Sequence, residues 1–254
     1  MTPLAGARPA PPTWPSVAST QRRALVLGVL GGRGGAGAST LAAAVARQLA
    51  RRTATVLVDL DRASGGIDVV LGLEAADGVR WPDLADARGE VSGADVLALL
   101  PRWGACAVLS ADRARPGPPE PAVVADVLHA LTTDAGALVL DLDRGSVVAG
   151  ESLARACDAV LVVAPRDLRT VAGILAMRPH LGEPAVPTWL VVRGPGLGGL
   201  GAAELGEAVG LPVLARAARD RRLASALERG GLPGGGPTAR TAARVVAALE
   251  RSLT

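Results

Sequence analysis

The chain has 254 residues, of which 49% are hydrophobic, enough for a buried core and too apolar for wholesale disorder. Its formal net charge is only +3, and all 27 of its basic residues are arginine, so bulk charge alone does not argue for a nucleic-acid partner. No apolar run approaches the ~20 residues of a membrane span, and the opening segment lacks the basic-then-apolar order of a secretory signal, so a cytoplasmic protein is expected.

Four Trp and no Phe or Tyr leave the core to Val, Leu and Ala. Cys106 and Cys157 stand far apart and in no metal or redox spacing, which reads as two buried thiols in a reducing compartment. His129 and His180 have no partner nearby in sequence and are assigned no role.

In chain order, residues 1–22 form a Pro-rich arm, read as flexible or extended, ahead of a single domain over 23–254. Residues 23–31 are a short apolar run ending in glycines, as in a strand buried on both faces. A helix is expected from Ser39 to Arg51, then a second buried strand over 53–61 ending in acids, and a short helix or turn over 66–74. "WPDLADA" begins a helix, because Pro is tolerated in a first turn; "ADVLALLP" is a short helix or a strand. Further strands are expected over 106–111, 136–145, 157–165 and 187–195, with helices over 122–134 and 167–181 and a surface loop over 113–121. Apolar strands alternating with helices predict an α/β, doubly wound, mainly parallel sheet with helices on both faces. Ligands of such sheets sit outside the carboxyl ends of the strands.

One loop carries the most chemistry. A P-loop reads Gly, four residues, Gly, Lys, then Ser or Thr. Here Gly32, Arg33, Gly34, Gly35, Ala36 and Gly37 are followed by Ala38, Ser39 and Thr40, so only the lysine is missing. Glycines let the backbone wrap so that successive N–H groups face phosphate oxygens, and the following helix N-terminus favours an anion. Ser39 occupies the Mg²⁺-ligand position and Thr40 is placed to reach an α-phosphate. The alternative is a tight strand-to-helix turn that merely needs glycine. The strand-end acids Asp59, Asp61 and Asp141 converge on the same edge, as metal-site acids or as capped strand ends facing solvent.

Residues 31–40, "GGRGGAGAST", resemble the deviant Walker A loop of the MinD/ParA superfamily, which reads Lys-Gly-Gly-x-Gly-Lys-Ser/Thr. Arg33 falls on the signature lysine of that loop and Ala38 on the ordinary one; the ending "GAST" resembles the CpaE-like, septum site-determining branch of actinobacterial type. "TVLVDLDRASGGIDVVLGLE", "LVLDLDRG", "CDAVLVVAPRDLRTVAG" and "LVVRGP" resemble later blocks in the same order, so the likeness covers about residues 23–253. It implies a P-loop NTPase fold, ATP and Mg²⁺ as cofactors, and a nucleotide-dependent homodimer. It implies that Gly32, Gly34, Gly35, Ala36, Gly37, Ala38, Ser39 and Thr40 hold nucleotide, and that Ser39, Asp59 and Asp141 serve the metal, Asp141 through water. Asp61 would orient the attacking water, and Arg33 would reach the phosphates of a partner protomer. Asp143 stands at the family's proline position and is expected to be exposed. Where the family often places Asn before Arg to read adenine, this chain has Val192 before Arg193.

The resemblance further implies a spatial regulator that works with protein partners of division or of Flp/Tad-type pilus and secretion machinery. Ala38 puts hydrolysis in question, and a pseudo-ATPase scaffold with no nucleotide cycle is the alternative. A ParA-like DNA-binding role rests only on Arg216, Arg219, Arg221, Arg222 and Arg229, whose other reading is a solvated face. The last helix places Ala242, Val246, Leu249 and Leu253 on one face; this is read as packing on the sheet rather than as a peripheral membrane contact of the MinD kind.

Overall fold

The apolar run ahead of the glycine loop forms β1 (Leu25–Gly31), with Val26, Leu27, Val29 and Leu30 all buried. In the computed structural model, which describes residues 23–253 apart from 62–64, 90, 118, 182–184 and 197, β1 lies at the centre of an eight-stranded sheet. The arm read over 1–22 lies outside the described residues.

The first half of the domain continues with α1 (Ala38–Leu49), β2 (Thr55–Asp59), α2 (Ile67–Leu71), α3 (Gly93–Leu99), β3 (Arg102–Trp103), β4 (Cys106–Leu109) and α4 (Pro121–Asp134). The second half adds β5 (Ala137–Asp141), α5 (Arg144–Ala149), β6 (Ala159–Pro165), α6 (Leu168–Met177), β7 (Thr188–Arg193), α7 (Ala202–Val209), β8 (Val213–Ala217), α8 (Leu223–Leu227) and α9 (Gly236–Ser252). The strand order is β3-β4-β2-β5-β1-β6-β7-β8. All neighbouring pairs are parallel except β3 with β4. The chain therefore leaves β1 toward β2 on one side and later returns to lay β6 on the other. That reversal opens a crevice at the carboxyl end of β1.

Side chains alternate along β1 because successive Cβ atoms point to opposite faces. Val26 and Leu30 join the core formed with α4, α6 and α7, whereas Leu27 and Val29 join the core formed with α1 and α9. The alanine richness of α1 has a steric reason. Ala42, Ala43, Ala44 and Ala46 are all buried, since this helix is enclosed by the sheet below and α9 above. α9 turns Ala242, Val245, Val246 and Leu249 inward, so its apolar face is consumed by packing. Among the described residues no helix is long and apolar enough to cross a membrane. Cys106 and Cys157 are buried free thiols, and burial pushes both up to about 12.

Several expectations are corrected. Leu253 lies beyond α9 and is 40% exposed, because the helix ends one residue earlier. "WPDLADA" gives a single 3₁₀ turn, Trp81–Leu84, whose Trp81 indole donates to the Asp59 carbonyl at 2.7 Å. The strand expected over 136–145 stops at Asp141. Asp143 is half-buried rather than exposed, because its carboxylate caps α5, accepting from the N–H groups of Gly145 and Ser146 at 2.9 and 2.8 Å.

The glycine loop is fixed against α6 by a backbone approach that tolerates no side chain. A Cβ on Gly173 would stand 2.0 Å from the Gly32 carbonyl oxygen, and one on Gly32 would stand 2.9 Å from the Thr170 methyl. Gly173→Ala is expected to lower stability by about 1–3 kcal/mol, the usual range for overpacking. At this chain length each kcal/mol is a fall in Tm of roughly 2–4 °C. Thermal melts of the two proteins check this, and an unchanged Tm contradicts the close approach.

Candidate nucleotide site

The loop begins as β1 runs out. Gly32 donates to the Val163 carbonyl of β6 at 2.9 Å, and Ala36 donates back to the Arg33 carbonyl at 3.3 Å. Gly35 and Gly37 take φ of 69° and 90°, the left-handed region where a Cβ is penalised. Gly37 is the N-cap of α1 and offers no side-chain cap, so the first N–H groups of that helix need acceptors from elsewhere. Among the described residues the N–H groups of Gly35, Gly37, Ala38, Ser39 and Thr40 have none; the first satisfied amide is that of Leu41, bonded to the Gly37 carbonyl at 3.1 Å. Gly34 and Gly35 are exposed. The result is a cradle of unclaimed donors at a helix N-terminus, which fits a polyphosphate.

The acids stand on the other flank. Asp59 and Asp141 are register partners at the ends of β2 and β5, and each is only 2% exposed. Ser39, at the start of α1, lies near the Asp141 carboxylate at the end of β5, and its hydroxyl favours the ionised form. Burial is the main cause that pushes Asp141 up to about 8. The nearby Ser39 hydroxyl opposes the shift, while repulsion from Asp59 and Asp61 adds to it. Asp59 is pushed up to about 6, again chiefly by burial. Its two oxygens accept from the N–H groups of Asp61 at 3.1 Å and Ile67 at 2.8 Å. It therefore clasps both ends of the segment that follows β2. Asp61 is half-buried and close enough to both acids to repel them. A hydroxyl and a set of buried carboxyls meeting at one edge is oxygen chemistry suited to Mg²⁺, whose charge would favour the ionised form of these acids.

Cations complete the loop's surroundings. Arg33 folds back: its Nε donates to the Asp167 carboxylate at 2.9 Å and its Nη1 to the Gly34 carbonyl at 2.9 Å. Asp167 also caps α6 through the Thr170 N–H and hydroxyl, at 2.9 and 3.0 Å. Arg193, at the end of β7, donates to the Ala36 carbonyl. It lines a cleft with Gly37, Thr40, Leu41, Asp220 and Thr238. Val192 is 2% exposed and so is unavailable to a base.

Sequence reading placed the glycines, Ser39, Asp59, Asp61 and Asp141 at one edge, and the structure brings them together there. It missed Asp167 and Arg193. Asp167 has a readable signal, an Asp three residues before Thr170 at a helix start; Arg193 stands at the arginine of the resembled family's adenine-reading pair, which gives no sign of its contact with the glycine loop. Arg216, Arg219, Arg221, Arg222 and Arg229 are exposed. They are interleaved with Asp220, which accepts from the Thr238 hydroxyl at 3.0 Å.

No family model matches the chain. Uncharacterized proteins from two strains of Mycobacterium tuberculosis are 42% identical to it over 207 residues, covering 82% of this chain. The chain spans 58% of the length of these relatives. A ParA family ATPase from Chlorobium tepidum superposes with a TM-score of 0.72 at 16% identity, covering 90% of this chain and 98% of that one. The MinD cell division protein of Aquifex aeolicus superposes at 0.69 and 15% identity, with the same coverage. The fold is that of the MinD/ParA ATPases. The septum site-determining protein MinD of Pyrococcus horikoshii, solved with Mg-ADP, superposes at 0.67 and 14% identity, covering 90% of this chain and 96% of its own.

The raised carboxyls have a consequence for this MinD/ParA fold without ligands. The folded state holds protons on Asp59 and Asp141 that the unfolded chain releases near the ordinary carboxyl value of about 3.9. Their contribution to stability is therefore full below that value. It falls as pH rises through about 6 and about 8, because the unfolded state binds fewer protons over that range. Asp141→Asn, which mimics the protonated form, is expected to raise the Tm of the nucleotide-free protein at pH 9 and to leave it nearly unchanged at pH 4. The same shift at both values contradicts the reading.

Proposed function

We propose that this chain is a nucleotide-dependent switch of the MinD/ParA type that binds ATP with Mg²⁺. The observation that carries the reading is the set of unclaimed N–H groups of Gly35, Gly37, Ala38, Ser39 and Thr40 beside the Asp141 carboxyl. Backbone and helix N-terminus bind the phosphates. Ser39, Asp141 and Asp59 hold the metal, directly or through water, and bound Mg²⁺ supplies charge neutralisation on the phosphates. Asp61 orients the water that attacks the terminal phosphate. Arg33, released from Asp167, reaches the phosphates of a second protomer in a nucleotide-dependent homodimer; guanidinium pairs with phosphate in two-point fashion.

Hydrolysis in this reading is slow or partner-dependent. Ala38 withholds a cation from the developing charge, and losing one electrostatic stabiliser costs on the order of 100- to 1000-fold in rate. The switch acts in spatial regulation, in septum site determination or in assembly of a Flp/Tad-type pilus or secretion machine, through protein partners that read the nucleotide state. Support for protein partners comes from the fold comparison, which includes a MinC:MinD cell division protein complex from Aquifex aeolicus. The domain over 23–254 is the switch. DNA and membrane contacts are not favoured: the late arginines are interleaved with Asp220, itself bonded to Thr238, and the apolar face of α9 is already packed.

A second reading, a partner-binding scaffold without a nucleotide cycle, is favoured by Ala38. Calorimetric titration with ATP separates the two. The switch predicts Mg²⁺-dependent binding that Ser39→Ala weakens about tenfold or more in Mg²⁺ and hardly at all in EDTA, a charge-assisted contact being lost only when the metal is present. No binding at millimolar ATP gives the scaffold.

A further inference from the structure

The loop has no lysine at Ala38, yet a cation lies against the residue just before it, Gly37. Arg193 arrives from the end of β7, 157 positions away in sequence from its acceptor, the Ala36 carbonyl. Its guanidinium lies so close over the loop that a Cβ on Gly37 would stand 2.5 Å from Nη1. The next residue is Ala38, whose methyl packs against the core shared by α1 and α9.

The electrostatic surroundings are unusual for a structural arginine. Arg193 is half-buried, and burial together with the nearby charge of Arg33 pushes its pKa below the ordinary arginine value. Among the described residues it has no carboxylate partner. Arg33, its cationic neighbour, is paired with Asp167 at 2.9 Å. Asp220, the acid of the same cleft, is occupied by Thr238 at 3.0 Å and by the N–H of Arg222 at 3.2 Å. A half-buried cation on a single neutral carbonyl is under-compensated, and an anion in the cradle beside it would make a charge-assisted, two-point contact. A second guanidinium, that of Arg166, lies 3.1 Å from where a Gly194 Cβ would be, so this flank of the edge carries excess positive charge.

We propose that Arg193 binds the polyphosphate of the nucleotide, in the role that the lysine absent at Ala38 would have. The proposal rests on the nucleotide-binding reading above. Arg193 reaches the loop from a strand end, so it leaves the helix start free of a long side chain and still delivers a cation to the same phosphates. Ala38 is then a relocation of the charge rather than its loss.

The test is calorimetric titration of the full chain with Mg·ATP, inorganic tripolyphosphate and adenosine, on wild type, Arg193→Gln, Ala38→Lys and the double variant. Gln keeps a donor for the Ala36 carbonyl and removes the charge. Arg193→Gln is expected to weaken Mg·ATP and tripolyphosphate about 10- to 100-fold, the effect of one charge-assisted contact, and to leave adenosine unchanged. Adding Ala38→Lys to it recovers about tenfold. Ala38→Lys alone needs no loss of Arg193, and is expected to gain less than about threefold because the cation's place is already filled. Three results overturn the proposal: Arg193→Gln within twofold of wild type, an equal loss for adenosine, or a tenfold gain from Ala38→Lys alone. Wild type that binds no nucleotide at all sinks the underlying reading as well, which the variants alone cannot do.

Discussion

Residues 32–40 turn between a strand buried on both faces and a helix enclosed on most of its circumference, and the N–H groups of Gly35, Gly37, Ala38, Ser39 and Thr40 are left without acceptors. Burying polar backbone without partners costs free energy, so such a turn persists only where it stays open to solvent or to a ligand. The surrounding fold holds it there. β1 fixes one end, the alanine face of α1 anchors the other, and α6 approaches so closely that Gly173 has room for a hydrogen and nothing larger. The aliphatic core, poor in aromatic volume, suits this close layering of helix on loop and helix on helix.

Charge is sorted across the same loop. Carboxyls lie toward β2 and β5, where burial makes ionisation costly. Guanidinium groups lie toward β6 and β7, and the acids near them are engaged, Asp167 with Arg33 and Asp220 with Thr238. A polyphosphate with a divalent cation relieves both strains at once: the cation favours ionised acids, and the anion compensates the arginines. An apolar or neutral ligand relieves neither. The state of the loop is therefore coupled to the clasp that Asp59 makes on the segment after β2, and to the pairing of Arg33 with α6. Those are the elements a switch would move.

Much of this was legible in the sequence, because buried parallel strands announce themselves as continuous apolar runs. β1, β2, β5, β6 and β7 were read that way, as were α1, α4 and α6, and the loop glycines with Ser39 and the strand-end acids followed from the P-loop pattern. What sequence could not supply was contact between distant segments. No periodicity shows that Arg193 rests on Ala36 or that Arg33 pairs with Asp167 across 134 positions. Short elements were missed as well. β3 has two residues, and α5 depends on a local cap by Asp143 that overrides the strand-like run before it. Between 196 and 235 no element was read, although α7, β8 and α8 fold there, because glycine and arginine obscure the apolar pattern.

The central claim is that the backbone amides of Gly35, Gly37, Ala38, Ser39 and Thr40 are held open for a phosphate-bearing ligand. Hydrogen exchange of the full chain, followed by mass spectrometry with and without Mg·ATP, tests it most directly. Bonding to phosphate should slow exchange in peptides covering 32–41, with a smaller effect over 59–67 through the Asp59 clasp. Unchanged exchange over 32–41 at millimolar Mg·ATP would contradict the account.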